Sequence, residues 1–128
     1  MATVLIVDDE QPIVDLVRFT LEDEQVRVVE AHDGIEALEV ARAELPDLIL
    51  LDVQLPRLGG FEVCRQLRQE PGLERVRIVM LTAASQEADR ARGRAAGADE
   101  YLTKPFSPLK LLSLVQALLP GVLLWPVR

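Results

Sequence analysis

The run Leu48-Ile49-Leu50-Leu51-Asp52 decides how this chain is read. Four apolar side chains in succession, without polar alternation, describe a strand covered on both faces, and such strands belong to parallel sheets with helices on each side. Working back from it, Pro46 ends a helix that opens at Asp33-Gly34 and carries Ala37, Leu38 and Ala41 on one face, because the residue before proline resists the helical conformation. Val26–Ala31 reads as another strand. Pro12 opens a helix whose Ile13, Val14, Val17 and Leu21 share a face up to about Glu24. The almost wholly apolar Thr3–Val7 is the first strand, and it stops abruptly at Asp8-Asp9-Glu10.

Forward from Asp52, a loop at Gln54–Gly59 leads to a helix over Gly60–Gln69 that ends near Pro71-Gly72. Arg77–Thr82 is the fourth strand, Ser85 caps a helix reaching Gly97, Glu100–Thr103 is a short fifth strand, and Ser107-Pro108 starts a last helix running to about Leu119. Five strands alternating with five helices predict an α/β fold with a doubly wound, five-stranded parallel sheet.

The 128 residues suit one domain, expected over 1–119, with an apolar C-terminal tail over 120–128 that starts a linker or adds to an interface. With 4% aromatic residues, the core must be filled by aliphatic side chains. Fourteen Lys and Arg against 21 Asp and Glu leave a net charge of −7, which repels phosphate and argues against direct nucleic-acid binding. The single cysteine, Cys64, cannot form an internal disulfide, the N-terminal residues lack a secretory signal, and no apolar run approaches the roughly 20 residues that span a bilayer. A cytoplasmic location without a membrane span is therefore expected. His32 reads as a solvated loop residue, Cys64 as a small packing residue, and Arg90, Arg92 and Arg94, with Glu87 and Asp89 nearby, as a solvated helix face.

Chemistry collects at strand ends. The first strand ends in Asp8-Asp9, the third in Asp52 and the fourth in Thr82, while the fifth leads to Lys104, and ligands of open parallel sheets bind at these carboxyl ends. Taken singly, each residue has a plainer reading: a helix cap, a turn former, a β-branched strand residue, a turn lysine. Together they form a site. Carboxylates a few ångströms apart repel by a few kcal/mol per pair at an effective dielectric near ~20, so a cation is needed. Oxygen-only ligands with room for water suit Mg²⁺, and no His or Cys stands at a strand end for zinc. Lys104 adds a charge for a carboxylate or a phosphoryl oxygen, the Thr82 hydroxyl can donate to that oxygen, and a carboxylate can act as nucleophile to give an acyl phosphate.

These stretches resemble the receiver domains of two-component response regulators: Val4-Leu5-Ile6-Val7-Asp8-Asp9, Asp47–Asp52, Leu55-Pro56 with Gly59-Gly60, Val79-Met80-Leu81-Thr82-Ala83, and Gly97 to Phe106. The likeness covers roughly Thr3 to Leu119, and Thr82 and Lys104 lie 30 and 52 residues beyond Asp52, the separations the family uses. The resemblance implies the flavodoxin-like strand order 2-1-3-4-5. It also implies that Asp52 is the phosphoacceptor, that Asp9 binds Mg²⁺ directly and Asp8 mainly through water, and that Asp52 and the main-chain carbonyl of Gln54 complete the ligands. Thr82 and Lys104 would bind phosphoryl oxygens, Tyr101 would be the aromatic switch that turns inward as Thr82 moves, and the Lys104-Pro105 bond would be cis. The partner would be a sensor histidine kinase or phosphotransfer protein, and the domain a signalling switch with only Mg²⁺-dependent self-phosphorylation and autodephosphorylation as catalysis.

The alternative is a Mg²⁺-dependent phosphatase or phosphotransferase of similar topology with an aspartyl nucleophile; such enzymes usually carry an aspartate two residues beyond it, where this chain has Gln54. Gln54 and Ala84 stand where the family's side chains flank the path of the hydrolytic water. In the last helix Leu111, Leu112, Leu114, Val115, Leu118 and Leu119 span an arc of about 160° at 100° per residue, wider than the stripe of about 100° that packing on a sheet requires. In winged-helix regulators the positions of Leu114 and Gln116 tend to be basic and pair across a dimer with acids such as Asp99 and Glu100. A homodimer through the fourth helix, fifth strand and last helix is therefore expected here to rest on apolar contact, with Val122–Trp125 either adding to the patch or leading into an effector.

Overall fold

The computed structural model describes residues 1–83 and 87–121. Its elements are β1 (Ala2–Val7), α1 (Gln11–Leu21), β2 (Val26–Ala31), α2 (Gly34–Glu44), β3 (Leu48–Asp52), α3 (Gly60–Arg68), β4 (Arg77–Thr82), α4 (Glu87–Ala96), β5 (Glu100–Thr103) and α5 (Pro108–Leu118). The strands form one sheet in the order β2-β1-β3-β4-β5, every neighbouring pair parallel, as the sequence and its resemblance predict. All five residues of β3 are buried, which is why its run carries no polar alternation.

Because strand side chains alternate, the sheet builds two cores. Val4, Ile6, Leu48, Leu50, Val79 and Leu81 pack with Val14, Val17 and Leu21 of α1 and with Leu111, Leu112 and Val115 of α5. Leu5, Val7, Ile49, Leu51, Ile78 and Met80 pack with Ala37 and Leu38 of α2 and with Val63, Cys64 and Leu67 of α3. Each large aliphatic buried here contributes roughly 2 kcal/mol relative to exposure. Cys64 is the packing residue expected of it, its thiol donating to the Ala96 carbonyl at 3.4 Å.

Local signals set most element boundaries. Asp33 caps α2 by accepting from the Glu36 N–H at 2.8 Å, and Ser107 caps α5 by accepting from the Lys110 N–H at 3.1 Å. The α1 helix stops at Leu21, earlier than Glu24, because the Asp23 carboxylate takes the N–H groups of Gln25 and Val26 at 2.7 and 3.0 Å and turns the chain into β2. At the far end of α4, Gly97 adopts φ +106° while the Ala98 and Gly97 N–H groups bond the Gly93 and Arg94 carbonyls, a paired closure that favours glycine. The expected cap Ser85 lies outside the described residues, as does most of the 120–128 tail.

The apolar surface expected for a dimer is smaller than the sequence suggests. Leu114, Leu118 and Leu119 pack against the core because α5 meets α1 as well as the sheet, so a wider stripe is covered; Leu109 is the leucine of α5 left exposed. Asp99, at the position of an acid that pairs across a dimer in winged-helix regulators, is held within the chain. Arg68 donates to its carboxylate at 2.8 Å, to the Gly97 carbonyl at 2.8 Å and to the Glu74 carbonyl at 3.1 Å, and the same carboxylate oxygen accepts from the Ile78 N–H at 2.8 Å. The Arg68 fork thus clamps α3 to the starts of β4 and β5, where an Arg guanidinium satisfies several carbonyls at once.

Candidate functional site

Parallel pairing in register brings the strand ends to one edge: Val7 lies opposite Leu51, Asp52 opposite Leu81, and Thr82 opposite Thr103. The chain one step beyond β1 and β5 therefore delivers Asp8 and Lys104 beside Asp52. Asp8 is fully buried, Asp52 is 6% exposed and Thr82 3%, whereas Asp9 faces solvent. The loop after β3 turns back over this edge through Gly60, where a Cβ would stand 2.2 Å from the Asp52 carbonyl oxygen; only glycine permits that approach. The Lys104-Pro105 bond is cis, as the resemblance implies, and the Lys104 N–H donates to the Thr82 carbonyl at 2.6 Å.

Lys104 is the hub of the site. Its ammonium lies 2.7 Å from Asp8 Oδ2, 3.1 Å from Glu10 Oε1 and 3.3 Å from Asp52 Oδ2. Burial opposes its charge, but Asp8, Asp52 and Glu10 together outweigh that and raise its pKa. Asp52 behaves in the opposite way: burial first, and the nearby Asp8 charge second, push its carboxyl up to about 6, against the pull of Lys104 and of the Gln54 N–H that bonds Oδ1 at 3.2 Å. The Glu10 N–H holds Asp8 Oδ1 at 2.9 Å, while Asp8 Oδ2 accepts no well-directed hydrogen bond and has only the ammonium to offset it.

A cleft of about 260 Å³ opens here, lined by Asp9, Glu10, Asp52, Gln54, Ala83 and Lys104. Asp8, Asp9, Glu10 and Asp52 each offer an oxygen within 4.8 Å of the others. Oxygen donors alone, one of them a buried carboxylate oxygen without a directed hydrogen bond, fit a small hard cation. A larger hollow of about 650 Å³ at the opposite end of the sheet is lined by Asp47, Glu74 and Arg75 with Leu45, Pro46, Gly72 and Val76; among the described residues its acids do not converge as the strand-end group does, and Asp47 there is occupied by the Thr3 N–H at 2.8 Å.

Of the residues singled out from sequence, Asp8, Asp9, Asp52, Gln54 and Lys104 meet at this edge. Thr82 and Tyr101 lie on the same face of the sheet, since Thr82 pairs with Thr103, two residues beyond Tyr101. Tyr101 is half-buried and its hydroxyl donates to the Arg90 carbonyl of α4. Glu10 is a site residue that the strand-end pattern does not pick out, because its only sequence signal, adjacency to Asp8-Asp9, reads equally well as an acidic helix start. The arginines of α4 do more than face solvent: Arg92 stacks over Phe61 with 4.3 Å to the ring centroid, and Arg90 lies over Tyr101 at 5.4 Å. His32 is exposed as expected and pairs with Glu36 at 3.0 Å.

A buried acid at the centre of a doubly wound parallel sheet, with an acidic pair on one side and a lysine on the other, defines an α/β protein with a charged site at the carboxyl edge of its strands. The chain belongs to the response regulator receiver domain family, whose model matches residues 4–116. It is 50% identical over 116 residues to the alkaline phosphatase synthesis transcriptional regulatory protein PhoP of Bacillus subtilis, a match covering 91% of this chain and 48% of that protein, so the chain spans about half the length of this relative. The chemotaxis response regulator CheY4 of Vibrio cholerae superposes with a TM-score of 0.87 at 38% identity, over 92% of this chain and 98% of that one. The receiver domain of a Pseudomonas aeruginosa sensor histidine kinase, solved with a magnesium ion coordinated in its active-site cleft, superposes with a TM-score of 0.84 at 32% identity, over 93% and 98%. The aspartyl phosphatase alternative is not favoured.

Proposed function

We propose that Asp52 accepts a phosphoryl group from a phosphohistidine on a sensor histidine kinase or phosphotransfer protein, and that the acyl phosphate formed changes the surface built by α4, β5 and α5. The observation that carries this is the position of Lys104 Nζ, within 3.3 Å of the buried Asp52 and 2.7 Å of the buried Asp8. In the transfer an Asp52 carboxylate oxygen bonds phosphorus as the P–N bond breaks, the histidine keeping the electron pair and then taking a proton. Lys104 is placed to follow the developing phosphoryl charge, and the Thr82 hydroxyl to donate to a phosphoryl oxygen. Asp9 and Asp52 would hold Mg²⁺ directly, with Asp8 acting through water and the Gln54 carbonyl completing the set. When bound, the ion neutralises charge on the phosphoryl oxygens.

The reading makes residues 1–119 the receiver and places it in the cytoplasm, where a kinase phosphohistidine is available. Among the described residues no helix is long and apolar enough to cross a membrane. Autodephosphorylation passes beside Gln54. Pairing of two copies through α4, β5 and α5 by apolar contact belongs to the same reading.

Intact-mass spectra test the proposal. With Mg²⁺ and acetyl phosphate the protein should gain one phosphoryl group, and with EDTA none; no gain in Mg²⁺ overturns it. Lys104→Ala should leave slow labelling but remove its structural consequence, so that the Tyr101 ring resonance moves on phosphorylation in wild type and stays still in the variant. Equal movement in both would remove Lys104 from the coupling.

A further inference from the structure

We infer that Gly93 is the seat of the Tyr101 ring on α4, and that the missing side chain at this position holds the aromatic of the switch against the helix. The inference rests on the reading of Tyr101 as that aromatic and names the residue that positions it. Gly93 is buried within α4, between the exposed Arg92 and Arg94. A Cβ built on it would lie 2.5 Å from the Tyr101 hydroxyl oxygen, 2.8 Å from Cε1 and 3.0 Å from Cζ. All three are atoms of one ring at the end of a rotatable side chain, so the conflict is relieved by moving Tyr101 and not by moving backbone. The other walls of the seat are polar: the ring hydroxyl donates to the Arg90 carbonyl one turn earlier, and the Arg90 guanidinium covers the ring face at 5.4 Å.

Glycine is otherwise the poorest helix former after proline, and alanine the best. The φ of Gly93 is not left-handed, unlike that of Gly97, and the carbonyl that Gly93 lends to the end of α4 would be supplied as well by alanine. Space for the ring is what the position requires. Tyr101 in turn shares a sheet face with Thr82, so whatever holds the ring on α4 links that helix to the phosphoryl side of β4.

Tyr101 is the only tyrosine, so its ring can be followed without ambiguity by tyrosine-labelled NMR and by its rate of nitration. Gly93→Ala is expected to shift the ring resonance toward that of a solvent-exposed tyrosine and to speed nitration severalfold, while Mg²⁺-dependent labelling by acetyl phosphate continues. An unmoved ring, with higher stability as helix propensity alone requires, overturns the seat. In a Tyr101→Ala background, Gly93→Ala should be stabilising, since no ring remains to be displaced. Should Gly93→Ala fail to fold, recovery of folding in the double variant supports the seat and continued failure overturns it. Absence of labelling in wild type would count against the proposed phosphoacceptor function and leave the ring measurements standing.

Discussion

Asp52→Asn takes up no phosphoryl group from acetyl phosphate in Mg²⁺, a loss on the order of a hundredfold or more relative to wild type. Asparagine matches aspartate in shape, and its side-chain oxygen can still accept from the Gln54 N–H that bonds Asp52 Oδ1 at 3.2 Å. What it lacks is the nucleophilic oxygen and the charge that Lys104 meets at 3.3 Å. Asp8 and Asp9 remain in the variant, so label that persists would mark one of them as the acceptor, and its loss assigns the phosphoryl group to Asp52. Intact-mass spectra of both proteins decide the matter, and labelling of Asp52→Asn as full as wild type would remove Asp52 as the acceptor. The variant must be shown folded, and it is expected to be more stable than wild type without metal.

That stability difference has a definite pH dependence. Burial and Asp8 raise the Asp52 pKa in the folded protein from 3.8 to about 6. Below the unfolded value both states are protonated and the group contributes nothing. As pH rises through the interval to about 6, the unfolded chain releases the proton while the native state keeps it, so the native state binds more protons and stability falls. Above that the full penalty applies, on the order of 2 kcal/mol once solvent screening is allowed for. Asn carries no charge at any of these values. The advantage of metal-free Asp52→Asn should therefore be absent near pH 4, grow toward pH 6 and level off above it, approaching about 2 kcal/mol. Mg²⁺ acts on the same penalty: at a free concentration a hundredfold above Kd it would add about 2.7 kcal/mol to the wild type. Asp9→Ala, which removes an exposed carboxylate from the cluster, should stabilise the metal-free protein and abolish the Mg²⁺ response. Denaturant or thermal melts over pH 4–8, with and without the ion, measure both effects; a wild-type melt indifferent to Mg²⁺ would count against the cation site.

The sheet was legible in the sequence because its evidence is local. A strand buried on both faces must be apolar throughout, and Leu48–Leu51 is; a helix start exposes N–H groups that a side chain satisfies, and Asp33 and Ser107 stand where those groups fall. The acids and the lysine could be named for the same reason, since each ends or follows a strand and parallel strands share a carboxyl edge. Where helices stop depends on competition between neighbouring groups, and the Asp23 turn that ends α1 early is a contest that periodicity does not record.

Distances and partners across the chain belong to the tertiary structure. Lys104 lies 94 residues from Glu10 and 52 from Asp52, and only the register of β1, β3, β4 and β5 brings one ammonium against three carboxylates. Asp99 looks like a free acid until Arg68 is seen to reach it from α3, and Leu114 looks like a surface leucine until α1 is seen beside α5. Gly93 looks like a weak point in a helix until the Tyr101 ring fills the space above it. The sequence by itself determined the elements, the sheet order through its resemblance, and the strand-end residues, because these follow from hydrophobic period, capping and chain order. Packing alone decided which charge meets which, how much of α5 is covered and where the aromatic rests, because those depend on contacts between residues far apart in the chain.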